Sequence, residues 1–221
     1  MPDFTPEQVA AGIALYSRPF LAIYDWFALG LGLRLLWGCP SRHMLDLYNR
    51  FVTANHLDIG VGTGYFMDRC RFPSPNPRLV LMDLNTNSLD FAARRLARYH
   101  PEVGRANALE PLPADLAPFD SIGIMNLLHC LPGDMTTKSA VLRNIKDRLK
   151  PGGVIFGSSI LYRGVRRHPL AAATLAFNNW RGIMTNKNDD VEVLRENLRQ
   201  LFPESEVRII GCVALFRAKK E

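Results

Sequence analysis

Residues 56–65 read His56-Leu57-Asp58-Ile59-Gly60-Val61-Gly62-Thr63-Gly64-Tyr65, and residues 79–85 read Leu79-Val80-Leu81-Met82-Asp83-Leu84-Asn85. Each segment contains an apolar run typical of a strand that is buried in a parallel sheet. Because glycine lacks a Cβ atom, the three alternating glycines allow a sharp turn and a close approach of a ligand to the backbone. Asp83 ends the second run, where a carboxylate accepts both hydroxyls of a ribose. The pattern predicts a nucleotide-type cofactor site at the edge of a parallel sheet.

The spacing of the glycines separates two classes of cofactor. A dinucleotide fingerprint requires a third glycine at the position that Tyr65 occupies. Asp58 stands two residues before Gly60, where its negative charge would repel a pyrophosphate but attract a cationic amino-acid group. These residues therefore favour a ligand with an amino-acid head group over NAD.

The glycine-rich segment resembles the first motif of the class I S-adenosylmethionine (SAM)-dependent methyltransferases. Later segments follow in the order of that family: 105–108 resembles the adenine-contacting motif, 119–131 the fourth strand with its loop, and 149–154 the turn before the fifth strand. The likeness spans about residues 54–160. Asn107 stands where the family more often has Asp, although an amide also bonds the adenine amine.

The resemblance implies an α/β fold with a Rossmann-like, seven-stranded sheet, which is mostly parallel with an antiparallel last strand. It also implies SAM as the cofactor. The residues that it assigns to cofactor binding are Asp58, Gly60, Gly62, Gly64, Asp83, Leu84, Asn107, Ala108 and Asn126.

A chain of 221 residues with 48% hydrophobic content is expected to form one α/β domain with a full core. We expect an N-terminal helical lid over residues 1–53, which caps the acceptor, and a SAM-binding core over 54–221 with a cap insertion at about 161–188. The periodicity predicts helices over 6–16, 18–36, 41–51, 64–70, 85–99 and 136–149. Strands are predicted near residue 56, over 154–160, and on both sides of Gly211.

The spacing of the cysteines and the composition of the N-terminal residues predict a cytoplasmic protein. Four cysteines, at positions 39, 70, 130 and 212, show neither C-x-x-C nor metal-ligand spacing, so we expect no disulfide and no metal site. The first residues lack the basic and then apolar opening of a signal peptide. The apolar segment 20–37 carries Asp25 and Arg34 within the window of about 20 residues that a spanning helix needs, which argues against a membrane span.

A net charge of +6 raises the question of nucleic acid, but the basic residues are spread along the chain. The loop after the fourth strand lacks the Asn/Asp-Pro-Pro-aromatic signature of enzymes that methylate nucleic-acid amino groups, which argues against that partner. A short basic run at Arg163, Arg166 and Arg167 suits an anionic substrate or an anionic membrane surface. We therefore expect a small-molecule partner, keep peripheral membrane contact as an alternative, and leave the oligomeric state open.

The expected function is SAM-dependent methyl transfer to an oxygen or carbon of a small, largely apolar metabolite. His129 is the candidate general base, with a purely structural role as its alternative. Tyr16, Tyr24 and Trp180 are candidates for acceptor binding, with packing as their alternative. Two further functions stay open: lipid- or quinone-type methylation at a membrane surface, and non-methylating chemistry with bound SAM.

Asp25, an acid in an apolar segment, needs a partner such as Arg34, a backbone amide or a substrate.

Overall fold

A computed structural model describes residues 25–221, apart from the side chains of residues 26–28 and 31. The strands are β1 (Asn55–Ile59), β2 (Arg78–Asp83), β3 (Glu102–Arg105), β4 (Phe119–Met125), β5 (Leu149–Ile160), β6 (Glu204–Ile210) and β7 (Val213–Lys219). The helices are α1 (Asp25–Leu36), α2 (Arg42–Phe51), α3 (Tyr65–Arg69), α4 (Thr86–Arg95), α5 (Met135–Lys146), α6 (Pro169–Trp180) and α7 (Val191–Leu201). The helix predicted over 6–16, and the part of the lid before residue 25, lie outside the described residues.

The seven strands form a sheet in the order β3-β2-β1-β4-β5-β7-β6. The first five strands pair in parallel, whereas β7 is antiparallel to both β5 and β6. The predicted seven-stranded sheet with an antiparallel last strand is confirmed. The strand order reverses between β1 and β4, and in open α/β sheets such a reversal opens a crevice for a ligand at the carboxyl ends of the strands.

Helices cover both faces of the sheet. On one face, α2 and α4 bury Met44 and Leu89 against strand residues such as Leu81. On the other face, α5 and α7 bury Leu142 and Leu194 in a second cluster, which includes strand residues on the opposite side of the pleat. Because both faces are covered, side chains on either side of the central strands are buried. These strands therefore consist of continuous apolar runs and do not alternate between polar and apolar residues.

The start of β5 differs from the prediction. The helix predicted over 136–149 ends at Lys146, and Leu149 already pairs with Phe119 before the register shifts. The Pro-Gly-Gly segment 151–153 therefore lies in an irregular part of the strand and not in a turn before it. Backbone hydrogen bonds explain this, because Gly152 N–H donates to Lys220 O (2.8 Å) and Lys220 N–H donates to Gly153 O (2.9 Å).

The turn between β6 and β7 packs against the end of α1. Gly211 has φ +60°, and a Cβ atom there would lie 2.1 Å from Trp37 O, so only glycine fits. The adjacent Cys212 N–H donates to the same carbonyl at 3.0 Å. These contacts fix the C-terminal end of α1 on the sheet. Within residues 25–221, no helix is long and apolar enough to cross a bilayer.

Candidate functional site

The loop between β1 and α3 has an unusual backbone. Gly60, Gly62 and Gly64 all have positive φ values, of 75°, 52° and 71°. A Cβ atom on Gly62 would meet no atom within 4 Å, whereas one on Gly64 would lie 3.2 Å from Ala92 Cβ. Gly62 therefore borders open space, and Gly64 lets the loop pack closely on α4.

A cavity of about 120 Å³ opens at the carboxyl ends of β1, β2 and β4. Apolar side chains form most of its wall, among them Ile59, Leu127 and Leu131. Seven of the residues predicted to bind the cofactor also line it, namely Gly60, Gly62, Asp83, Leu84, Asn107, Ala108 and Asn126.

A second cavity of about 50 Å³ adjoins the first, because both are bordered by Gly60, Gly62 and Asn126. Asp58 and Gly64 contribute to the second cavity. All nine residues predicted to bind the cofactor therefore border the two adjoining cavities. One carboxylate belongs to each, Asp83 to the first and Asp58 to the second.

Asp83 is a carboxylate held in a poorly solvated position at the end of β2. Its Oδ1 accepts a hydrogen bond from Asn85 N–H at 2.9 Å. Burial raises the pKa of Asp83 to about 6, although backbone N–H groups, including that of Gly62, oppose this rise. Additional donors, such as the hydroxyls of a ligand, would stabilise the charged form.

The raised pKa predicts that ligand affinity depends on pH. A ligand that donates hydrogen bonds to the Asp83 carboxylate binds best when this group is ionised. The affinity of the ligand therefore rises as the pH increases through about 6, and it is constant above pH 7. We expect SAM to bind about tenfold more weakly at pH 5 than at pH 7.5. Calorimetric titrations across this range check the dependence, and Asp83→Asn should remove it. An equal pH dependence in the Asn variant would assign the effect to another group.

Asp58 lies at the end of a buried polar chain. It is 1% exposed, and its Oδ2 accepts a hydrogen bond from the Tyr48 hydroxyl at 2.5 Å. His56 Nε2 lies 3.4 Å from the same oxygen, and His56 Nδ1 lies 2.8 Å from Ser121 Oγ. Burial and the charge of Asp58 raise the pKa of Tyr48 well above its ordinary value, so the phenol stays protonated and donates. Tyr48 and His56 thus fix the orientation of this carboxylate.

Sequence reasoning missed this polar chain. His56 is a signal, because a histidine in an otherwise apolar strand needs a buried partner. Gly123 in β4 is another, because a Cβ atom there would lie 2.7 Å from Asp58 Oδ2 and 3.3 Å from the His56 ring. The glycine therefore provides the space that the carboxylate and the imidazole occupy.

Asn126 follows β4 and has φ +56°, which is uncommon for a residue other than glycine. Its N–H donates to Ser158 O at 3.0 Å, and the Ser158 hydroxyl donates to Asn126 Oδ1 at 2.8 Å. These bonds offset the cost of the backbone conformation, which is of order 1–3 kcal/mol. They hold Asn126 at the border between the two cavities.

The side chain of Asn107 shapes the turn that follows β3. Its Nδ2 donates to Glu110 Oε1 at 2.8 Å, and its Oδ1 accepts the N–H of Leu109 at 3.1 Å. Asn144 of α5 secures the same turn by donating to Ala108 O at 3.0 Å. Contact of the Asn107 amide with an adenine stays a prediction.

His129 lies in the loop after β4 and is 4% exposed. Its Nδ1 accepts the N–H of Ile160 at 3.2 Å, and its carbonyl accepts the N–H of Thr185 at 3.0 Å. Burial, with a contribution from the charge of Lys138, lowers the pKa of His129 to about 3. A role as base stays a prediction, and these contacts join the loop to the end of β5 and to the segment after α6.

A buried ion pair lies near His129. Lys138 Nζ donates to both carboxylate oxygens of Asp189 at 2.8 Å and to Thr185 O at 3.0 Å, and both charged side chains are fully buried. Asn186, which lies in the predicted cap insertion at 161–188, is also buried and donates to Ile160 O at 2.8 Å. This polar cluster fixes the segment after α6 against α5 and β5.

The remaining candidates fall outside the two cavities or outside the described residues. Trp180 is 76% exposed, packs on Phe177 with ring centroids 5.8 Å apart, and lines neither cavity. Tyr16 and Tyr24 lie outside the described residues. Asp25 pairs with Arg95 and Thr63, and not with Arg34 as considered above.

Comparison with known proteins agrees with this geometry. A family model described as a methyltransferase domain matches residues 57–155. The demethylluteothin O-methyltransferase of Streptomyces thioluteus is 40% identical over 96% of this chain and 92% of its own length. The physcion biosynthesis cluster O-methyltransferase of Aspergillus chevalieri is 38% identical over 100% of this chain and 99% of its own.

Among solved structures, the N-methyltransferase NodS from Bradyrhizobium japonicum WM9, in complex with S-adenosylhomocysteine (SAH), has a similar fold. Its TM-score is 0.55 at 18% identity, over 81% of this chain and 87% of that chain. The family model and the two relatives show that the chain is a SAM-dependent methyltransferase. The chain belongs to the class I SAM-dependent methyltransferases, and it methylates a small molecule.

Proposed function

We propose that this methyltransferase acts on a hydroxyl oxygen of a small, largely apolar metabolite. The observation that carries the site assignment is the pair of carboxylates, Asp83 and Asp58, in two cavities joined across the glycine loop. SAM has a ribose in its middle and a cationic amino group at one end, which matches this arrangement. Oxygen is favoured because both relatives named above, at 40% and 38% identity, are named as O-methyltransferases.

We assign the nine residues around the cavities to different parts of SAM. Asp83 accepts hydrogen bonds from the ribose hydroxyls, and Leu84, Asn107 and Ala108 bound the adenine. Asp58 faces the charged amino group, while Gly60, Gly62 and Gly64 allow the backbone to approach the amino-acid end. Asn126 separates the cofactor from the acceptor.

SAM supplies a methyl group that its sulfonium already activates. The main contribution of the chain is therefore alignment, with the acceptor oxygen held about 3–3.5 Å from the methyl carbon. We propose that residues 1–53, with Tyr16 and Tyr24, and the insertion 161–188, with Trp180, form the acceptor cap over the core of residues 54–221. In support, Leu29 of α1 is buried and lines the second cavity, so part of the segment 1–53 lies against the core.

His129 is the candidate base, but its burial favours the structural alternative, and the two roles can be separated by a test. With a pKa of about 3, its imidazole is a weak base at neutral pH. We therefore expect His129→Gln, which keeps an acceptor for the Ile160 N–H, to retain kcat within about tenfold, whereas His129→Phe should lose structure in this loop. Steady-state kinetics with SAM saturating check this. A loss of 100-fold or more in a folded Gln variant would instead establish general-base catalysis.

The acceptor atom is tested with SAM that carries an isotopically labelled methyl group. The protein is incubated with an extract of apolar metabolites, and labelled products and SAH are followed by mass spectrometry, with Asp83→Ala as the matched control. We expect a labelled product that the control does not form and whose methyl carbon has the NMR shift of an O-methyl group. A product labelled on carbon or nitrogen would overturn the assignment to oxygen.

A lipid-type acceptor at a membrane surface is a second candidate. It is supported by the exposed apolar residues Leu170, Phe177 and Trp180 on α6, which follow the basic run at 163–167. Co-sedimentation with vesicles of anionic lipid tests it, and binding that Trp180→Ala reduces would favour this candidate. We also propose a cytoplasmic location, supported by the four cysteines, whose spacing is typical of neither a disulfide framework nor a metal site.

A further inference from the structure

The first residue of α1 is attached to the glycine loop. Asp25 Oδ1 accepts a hydrogen bond from the Thr63 hydroxyl at 2.5 Å, and Asp25 Oδ2 lies 2.7 Å from Arg95 Nη2. Arg95 Nη1 donates to Thr63 O at 3.0 Å. We call these three residues the Asp25 clasp. It joins α1, the glycine loop and α4 through charge-assisted hydrogen bonds.

The position of Thr63 makes the clasp relevant to cofactor binding. Thr63 is buried and stands between Gly62 and Gly64, both of which have positive φ. Both its hydroxyl and its carbonyl are held by the clasp. The clasp therefore restrains the segment of backbone that borders both cavities.

Helix α1 also forms part of the cavity wall. Leu29, four residues after Asp25, lines the second cavity together with Asp58 and Tyr48. Its side chain is 6% exposed. A movement of α1 away from the glycine loop would thus open the part of the second cavity's wall that Leu29 forms.

The winding of α1 adds an independent observation. The helix is wound as a wide π-helix, with Trp37 N–H donating to Gly32 O at 3.2 Å beyond its last turn. This winding is rare, and short stretches of it occur frequently at functional sites. Contacts at both ends hold α1, with the clasp at Asp25 and the β6–β7 turn at Trp37.

We propose that Asp25 and Arg95 are positioning residues that close α1 over the amino-acid end of SAM, so that cofactor binding and closure of α1 are coupled. Ligand in the second cavity stabilises the closed position of Leu29, and the clasp stabilises the glycine-loop conformation that the ligand requires. By linkage, the two effects are reciprocal. Breaking the clasp therefore weakens cofactor binding and removes the effect of the cofactor on α1. The inference rests on the proposed placement of SAM in the two cavities and is independent of the acceptor.

The test uses the full chain and SAH, with Asp25→Asn and Arg95→Met as clasp variants. Arg94→Met is the matched control, because Arg94 is exposed on the same helix and its removal changes the charge equally. Calorimetry gives SAH affinity, and hydrogen exchange followed by mass spectrometry gives the protection of residues 25–36 with and without SAH. Thermal unfolding of the ligand-free proteins checks that the variants are folded.

We expect SAH to slow exchange in residues 25–36 of the wild type and of Arg94→Met. Both clasp variants should bind SAH about 5- to 30-fold more weakly and lose this protection, and the double variant should be no weaker than either single one. Arg95→Lys should recover part of the affinity, since it keeps a cation near Asp25. In steady-state kinetics, KM for SAM should rise more than kcat falls.

Three results would overturn the inference. Clasp variants that match Arg94→Met in SAH affinity and in protection show that closure does not depend on Asp25 and Arg95. Wild-type protein that binds SAH without any protection of residues 25–36 shows that α1 is not coupled to the cofactor. A wild type that binds no SAH at all overturns the placement of SAM as well, so the failures are distinguishable.

Discussion

Asp83→Ala is expected to weaken SAM binding by about 2–3 kcal/mol, or about 30- to 150-fold, because it removes charge-assisted hydrogen bonds to the ribose. The same change should not lower the stability of the ligand-free protein. Burial raises the pKa of Asp83 to about 6 in the folded state, so the ionised carboxylate opposes folding at neutral pH. This contribution disappears as the pH falls below the unfolded value of about 4.

Calorimetry of SAM and thermal unfolding of the ligand-free protein check these two effects. Asp115→Ala is a suitable control, because Asp115 is exposed and lines neither cavity. Unchanged SAM affinity would remove Asp83 from the site. A weaker affinity together with a large loss of ligand-free stability would show that Asp83 acts mainly through the fold.

Lys138→Met is expected to give the largest loss of stability, about 3–5 kcal/mol, because it leaves Asp189 buried without its cation. Burial already raises the pKa of Asp189 to about 6 against the opposing effect of Lys138. Without Lys138 the carboxyl should bind a proton more readily, so the loss should be smaller at pH 5 than at pH 7.5. Urea unfolding at both pH values measures this.

Lys150→Met is the matched control. Lys150 pairs with Asp120 at 3.0 Å, but both side chains are nearly half exposed, so the expected loss is about 0–1 kcal/mol. The double variant Lys138→Met with Asp189→Leu should recover part of the stability, because no unpaired charge stays buried. If Lys138→Met and Lys150→Met lower the free energy of unfolding equally, the burial of the Lys138–Asp189 pair does not decide the cost of removing its cation.

The fold, and the grouping of the nine candidate residues around two adjoining cavities, were predictable because their signals are local. The apolar run into Gly60, Gly62 and Gly64 requires backbone freedom that only glycine supplies, and an acid at Asp83 ends the next strand. Continuous apolar runs identified strands covered on both faces. These features depend on residues that are close in the sequence, so periodicity and spacing reveal them.

The parts that the sequence did not predict depend on contacts between distant residues. Lys138 meets Asp189, and Asp25 meets Arg95, across separations of 51 and 70 positions that no pattern connects. His129 was chosen as a base for its residue type, but burial decides its pKa and is invisible in the sequence. Trp180 was assigned to the acceptor for its ring, and its exposure to solvent on α6 is likewise invisible in the sequence.

The most direct test of the proposed SAM site is a crystal structure of the protein with SAH bound. We expect one SAH molecule across both cavities, with its ribose hydroxyls about 2.5–2.9 Å from the Asp83 carboxylate. Its amino group should lie on the side of Asp58, with the adenine between Leu84 and Ala108. SAH bound elsewhere, or bound here with its ribose out of hydrogen-bonding reach of Asp83, would show that the two cavities do not hold the cofactor as proposed.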